Sequence, residues 1–176
     1  MPAHLPSVTQ CRIDWVHGCT NAALRTELVT FWLDQGAIDT IGEAWRRSFE
    51  VACVLRDDAG ALAGVCSVAI GIDAGGDSYG FLRVFVRPAC RAVRSTQQLL
   101  VAAAMGFERL AHEPGGPSRL VLTLENRKLE RRGMQRKLAQ LGFAPIGAAP
   151  NGEVVMQRRL RGQPDATSPG ASKRPH

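Results

Sequence analysis

An apolar, strand-like run ends at Val84-Phe85-Val86-Arg87-Pro88. A basic turn with Arg91 and Arg94 then leads directly into Ser95-Thr96-Gln97-Gln98, where a helical pattern begins. Residue types in that order suit the binding of a phosphate or pyrophosphate. The first amides of a helix have no partner inside it, and they sit at the positive end of the helix dipole. An anion at that corner is held by both effects. On this reading the amides of Thr96, Gln97 and Gln98 face the anion, and Arg91 and Arg94 add charge-assisted contacts. Ser95 and Gln98 have capping-box spacing, so Ser95 occupies one of the donors as a cap. An ordinary capped helix with solvated arginines would carry the same pattern, and the junction alone leaves both readings open.

The other reactive residue types form no comparable group. Cys11, Cys19, Cys53, Cys66 and Cys90 are odd in number and lack C-x-x-C spacing. They read as small buried hydrophobes of a reducing compartment. His4, His17, His112 and His176 make no metal-ligand spacing, so no metal is expected. A chain of 176 residues, 45% hydrophobic and 22% charged, fits one soluble domain. No run is long enough to span a bilayer, and residues 1–10 lack the layout of a signal peptide. A cytoplasmic protein without a membrane partner is expected. The net charge of +6 is uneven: ten Lys or Arg stand against three Glu between Arg119 and Arg161. Such a face suits nucleic acid, an acidic protein or a polyphosphate, or it is simply solvated. Phe143 is the sole aromatic there, which argues against a single-strand stacking platform.

The elements that must hold the junction follow from period and turn chemistry. Gln10 to Val16 reads as a first strand. Thr20 is placed to cap the next helix, in which Leu24, Leu28 and Phe31 share a face, and Gly36 to end it. Ile38 to Arg47 is a second helical piece. Phe49 to Arg56 and Ala61 to Ile72 flank Asp57-Asp58-Ala59-Gly60 as a hairpin. Tyr79 to Arg87 is a fourth strand, stopped by Pro88. Ser95 to His112 is the clearest helix, with Leu99, Leu100, Ala103, Phe107 and Leu110 on one stripe. Arg119 to Leu124 is a fifth strand, and Lys128 to Leu141 a basic helix ended by Gly142. Phe143 to Ile146 and Glu153 to Leu160 close the domain. The order β-α-α-β-β-β-α-β-α-β-β implies an α/β (α+β) domain. Its sheet is twisted and largely antiparallel, of about seven strands flanked by about four helices. The fourth and fifth strands, joined through a helix, are expected to be parallel. Residues 1–161 make up this domain. Gly162 to His176, rich in Pro, Gly and Ser, is expected to be a disordered tail.

Several of these segments carry a likeness. Val84-Phe85-Val86-Arg87-Pro88 at the strand end, Arg91 after it, the Leu99-Leu100 pair, Leu141-Gly142-Phe143 and Arg158-Arg159-Leu160 together resemble the GNAT superfamily of acyl-CoA-dependent N-acyltransferases. The likeness covers roughly Ile13 to Arg161, as in a divergent member. It implies acetyl-CoA or another acyl-CoA as co-substrate, held by Val84, Phe85, Val86, Arg91, Arg94, Ser95, Thr96 and Gln97. It also implies that the fourth and fifth strands splay apart. The pantetheine arm would then pair with the fourth, lined by Leu82, Val84 and Val86, with the Val84 or Phe85 amide near the thioester carbonyl. Two departures are plain. Arg94 and Thr96 stand where the family has glycines, and Leu138 where many members carry a tyrosine on the late helix.

In the family's usual reaction an amine attacks the thioester directly, so a base, an oxyanion donor and a proton source are needed. Tyr79 is the residue for the proton source, and Glu125, or Glu50, for the base; a bound water would serve as well. Cys90 would be a nucleophile only with a depressed pKa. The partners implied are acyl-CoA and an amine acceptor, with a homodimer compatible. Two other readings stay open: acetylation of aminoacyl-tRNA, and a GNAT-like binding or regulatory module that has lost catalysis.

Overall fold

The computed structural model describes residues 11–91, 93–124 and 128–160, with the side chains of 93 and 128–131 excepted. Glu125 and the expected tail, Gly162 to His176, lie outside the described residues. In chain order the elements are β1 (Arg12–Trp15), α1 (Ala22–Asp34), α2 (Ile41–Ser48), β2 (Val51–Arg56), β3 (Leu62–Ile72), β4 (Ser78–Val86), α3 (Val93–Leu110), β5 (Arg119–Leu124), α4 (Lys128–Gln140), β6 (Ala144–Ala148) and β7 (Val154–Arg159). This is the order expected from pattern. The strands form one sheet, β1-β2-β3-β4-β5-β7-β6. Only the β4–β5 pairing in it is parallel, as a helical crossover requires.

Both faces of the sheet are covered, which is why β2 and β3 read as nearly continuous apolar runs rather than alternating ones. On one face Val51, Val54, Leu62, Val65 and Phe85 pack against Leu28, Phe31 and Trp32 of α1. On the other, Ala52, Leu55, Cys66, Val68, Leu82 and Val86 pack against Leu99, Leu100, Ala103 and Phe107 of α3 and Leu138 of α4. The period of two is plain on β4: Leu82 and Val86 face α3, while Phe85 faces α1.

Three helix starts differ from expectation. Asn21, not Thr20, caps α1, its Oδ1 accepting from the Leu24 amide at 2.9 Å. Thr40 caps α2, which begins at Ile41 because Ile38 is buried against α1. α3 begins at Val93, earlier than the capping-box reading of Ser95 allows. The chain has already turned within a short 3-10 segment, Pro88–Cys90, where the Cys90 amide donates to the Arg87 carbonyl at 2.8 Å and the Arg91 amide to the Pro88 carbonyl at 3.2 Å. Few residues then separate the turn from the helix. Ser95 lies inside the first turn and is buried.

His17, just after β1, sits among rings, its centroid 4.9 Å from Phe107 and 5.7 Å from Trp15. Its Nδ1 is buried with no hydrogen-bond partner among the described residues, and burial pulls its pKa below the ordinary 6.5. The unfolded chain therefore takes up this proton first as pH falls. The contribution is whole above the ordinary value and is lost as pH drops through the lower, folded one. The melting temperature is expected to fall more steeply between about pH 7.5 and about pH 5.5 in the wild type than in His17→Phe, which keeps a ring in place. Parallel slopes would show that His17 charges freely in the folded protein.

Candidate active site

β4 and β5 pair over three positions only: Tyr79↔Arg119, Gly80↔Leu120 and Phe81↔Val121. The closed end is tight, since a Cβ on Gly80 would stand 2.7 Å from Val68 Cγ1 and 2.9 Å from Leu120 Cδ2. Beyond Phe81 each strand continues with its outer neighbour alone. β4 follows β3 to Val86↔Gly64, and β5 follows β7 to Leu124↔Val154. The sheet is thus split between them. Backbone groups of Leu82 to Val86 on the β5 side have no strand to pair with, and polar backbone left in that state calls for a partner.

The split opens a cleft of about 720 Å³. Leu82, Val84, Thr96, Leu100, Met134 and Leu138 line it on the α3–α4 side, and Arg47, Phe81 and Arg83 on the α2 side. It therefore joins the two faces of the sheet through the gap. Leu122, Thr123, Leu124 and Glu153 form its β5–β7 wall. Glu153 is held at the start of β7 by its backbone: its amide donates to Asn151 Oδ1 at 3.2 Å and its carbonyl accepts from the Ala149 amide at 2.8 Å.

The structure brings some of the expected residues together and separates others. Val84 and Thr96 meet at the cleft. Phe85 points to the opposite face, edge-on to Phe31 at 5.7 Å, and Val86 is buried beneath α3 rather than lining the cleft. Arg91 and Arg94 are exposed at the α3 start. Arg91 folds back so that its Nε donates to the Val86 carbonyl at 3.0 Å, with its guanidinium 5.8 Å from the Phe85 ring centre. With α3 beginning at Val93, the unpartnered amides are those of Val93, Arg94 and Ser95. Thr96 falls one position, and Gln97 two, too deep for their amides to serve as expected.

Tyr79 is at the zipped end, packed over Gly71 with the Arg119 guanidinium 5.6 Å from its ring centre, and it does not line the cleft. Leu138 does line it and is fully buried, so the late-helix position offers a methyl group and no hydroxyl. Glu50 stands behind the site. Its carboxylate accepts from Arg46 at 2.5 Å and from Arg83 at 3.2 Å, so it reaches the cleft only through Arg83. Cys90 is half-buried, its Sγ 3.3 Å from an Arg87 nitrogen, and outside the cleft lining.

Sequence reasoning passed over Arg47, Arg83, Thr123 and Glu153. Arg83 interrupts an apolar strand and was open to notice. Glu153 depended on the β5–β7 register, which no local pattern carries. Part of the basic excess proves to be neutralised: Arg119 is paired with Asp73, and Arg158 with Glu108 at 2.8 Å.

No family model and no curated protein matches the sequence. Solved structures do match in fold. A phosphinothricin acetyltransferase of the GNAT superfamily from Sinorhizobium meliloti, in complex with AcCoA, superposes with a TM-score of 0.65 at 16% identity, over 93% of this chain and 94% of that one. Ribosomal-protein-S5-alanine acetyltransferase from Vibrio fischeri gives 0.63 at 10% identity, over 88% and 98%. An acetyltransferase of the GNAT family from Streptococcus pneumoniae gives 0.61 at 15%, over 86% and 99%. Among the described residues no helix is long and apolar enough to cross a membrane. The seven-stranded sheet, its split between β4 and β5 and these superpositions agree on one conclusion: the chain has the fold of the GNAT acetyltransferases.

Proposed function

We propose that the protein is an acyl-CoA-dependent N-acyltransferase using acetyl-CoA. The observation that carries this reading is the parting of β4 and β5 after Phe81, directly beside the start of α3. The diphosphate would rest on the amides of Val93, Arg94 and Ser95, with Arg91 and Arg94 adding charge. The pantetheine arm would run past Thr96 and Val84, pairing with the free backbone edge of β4. Arg94 and Thr96, in place of glycines, would exchange close backbone approach for a side-chain ion pair. The acceptor nitrogen would attack the thioester carbonyl from the α2 side: the N–C bond forms, the C–S bond breaks, one proton leaves the nitrogen, and CoA departs as its thiol.

Among the described residues Glu153 is the carboxylate that lines the cleft, so it is the group we assign to proton removal. Thr96 and Thr123 are the hydroxyls there, and either would serve the thiolate in place of the missing tyrosine. Of the ten basic residues that motivate the aminoacyl-tRNA reading, Arg119 and Arg158 are paired with carboxylates, and a carboxylate in the cleft favours a catalytic over a purely binding role.

Calorimetry with acetyl-CoA tests the proposal. Micromolar binding is expected, and no binding at millimolar ligand would remove it. Glu153→Gln is expected to leave that affinity intact while lowering kcat by about a hundredfold or more. An unchanged kcat would take the base role from Glu153.

A further inference from the structure

Two guanidinium groups stand on the acceptor side of the cleft, where none is needed to hold a thioester. Arg83 projects from β4 to the face opposite Leu82 and Val84, and Arg47 projects from α2. Both line the main cleft, and both also line a smaller adjoining cavity of about 170 Å³. Trp32, Ile38, Val65 and Phe85 give that cavity an apolar floor.

Each arginine has one carboxylate contact: Arg83 to Glu50 at 3.2 Å, and Arg47 to Glu43 at 2.6 Å. A guanidinium has five N–H donors, so most of those on Arg83 and Arg47 have no partner among the described residues. The local charge does not balance, because among the described residues Arg46, Arg47 and Arg83 face only Glu43 and Glu50. Arg83 also lies 4.8 Å from the Phe81 ring centre, about one-third exposed. Burial, and then the neighbouring charge of Arg47, lower its pKa from the ordinary value. Half-buried like charges with free donors are stabilised by an anion, and a carboxylate matches the guanidinium fork in shape.

We infer that the acceptor is a free α-amino acid, its carboxylate held by Arg83 and Arg47 and its side chain in the apolar cavity beside them. The inference rests on the acyltransferase reading and adds the acceptor class. A carboxylate bound on this wall leaves the adjacent amine facing the gap between β4 and β5, which is where a thioester carbonyl would lie. In the reaction the α-nitrogen gains the acyl carbon and gives up one proton. The thiolate leaving group takes up a proton, and the products are an N-acyl amino acid and CoA. The carboxylate is unchanged.

The test is a turnover assay with acetyl-CoA and a panel of L-amino acids, each beside its amide and its decarboxylated amine, with products read by mass. At least one amino acid is expected to exceed its amide and amine by more than about tenfold in kcat/KM. Arg83→Gln and, as an alternative on a helix rather than in the sheet, Arg47→Gln are expected to shrink that ratio about tenfold, mainly through KM, with acetyl-CoA affinity kept. Amides or amines used as well as the amino acids would overturn the inference. So would acetyl-CoA binding with no turnover of any amino acid in the panel, or a ratio unmoved in a folded Arg47→Gln. Absence of acetyl-CoA binding in the wild type would instead overturn the acyltransferase reading itself.

Discussion

Thr96→Trp is expected to weaken acetyl-CoA binding severely while leaving the protein folded. Thr96 lies one helical turn into α3 and faces the cleft beside Val84 and Leu100. An indole there would occupy the volume between α3 and the free edge of β4, the route proposed for the pantetheine arm. The side chain is only part-buried and belongs to neither core cluster, so the substitution adds bulk to an opening rather than to packed interior. Affinity should fall by about a hundredfold or more, roughly 2.7 kcal/mol, with a melting temperature close to that of the wild type. Arg94→Glu makes an informative contrast. It reverses an exposed charge at the α3 start without filling the cleft, so its loss of affinity should shrink as salt rises, because exposed charges are screened. The loss in Thr96→Trp should not. Wild-type affinity in Thr96→Trp would mean that the ligand takes another route, and the cleft would lose its assignment.

The legible part of this molecule was the part written in local pattern. Leu99, Leu100, Ala103 and Phe107 announced a helix with one buried stripe, and all four are buried in α3. Val84 and Thr96 were reachable because a strand, a proline, a basic turn and a helix stand in sequence. What stayed hidden depended on register and on partners far along the chain. Nothing in Tyr79-Gly-Phe-Leu-Arg says that pairing with β5 stops at Phe81; that is decided by where Arg119 to Val121 dock and by the hold of β3 and β7 on the outer edges. Tyr79, the one tyrosine of the chain and the expected proton source, falls on the closed side of that boundary. Arg83, on the open side, acquires meaning only when α2 brings Arg47 to the same wall. The capping motif at Ser95 misled for a related reason. It describes what a serine can bond to, whereas the helix start was set by how quickly the chain turned after Pro88.

Gly106→Ala should be the most damaging small substitution on α3, against the usual direction of such a change. In an exposed helix interior, alanine in place of glycine gains up to about 1 kcal/mol. Here a Cβ would stand 2.1 Å from Trp15 Cζ3 and 2.2 Å from Cη2, so either the Trp15 ring or one of the two elements, β1 and α3, must move. The Trp15 ring has little room to retreat, being edge-on to Phe107 at 5.6 Å and 5.7 Å from His17. Overpacking of this kind costs about 1–3 kcal/mol. At about 2–4 °C per kcal/mol for a domain of this size, the melting temperature should drop by roughly 5–10 °C. The cause can be isolated with a double-mutant cycle. Trp15→Leu removes the ring and should destabilise the wild type on its own, but in the Gly106→Ala background much of that cost should vanish, because the two changes relieve each other. Strict additivity would place the effect of Gly106 elsewhere than at this contact. The cycle also bears on the site, since the same helix carries Ser95 and Thr96 at its other end. If α3 tilts away from β1 to admit the methyl group, acetyl-CoA affinity should weaken in Gly106→Ala and recover in the double mutant.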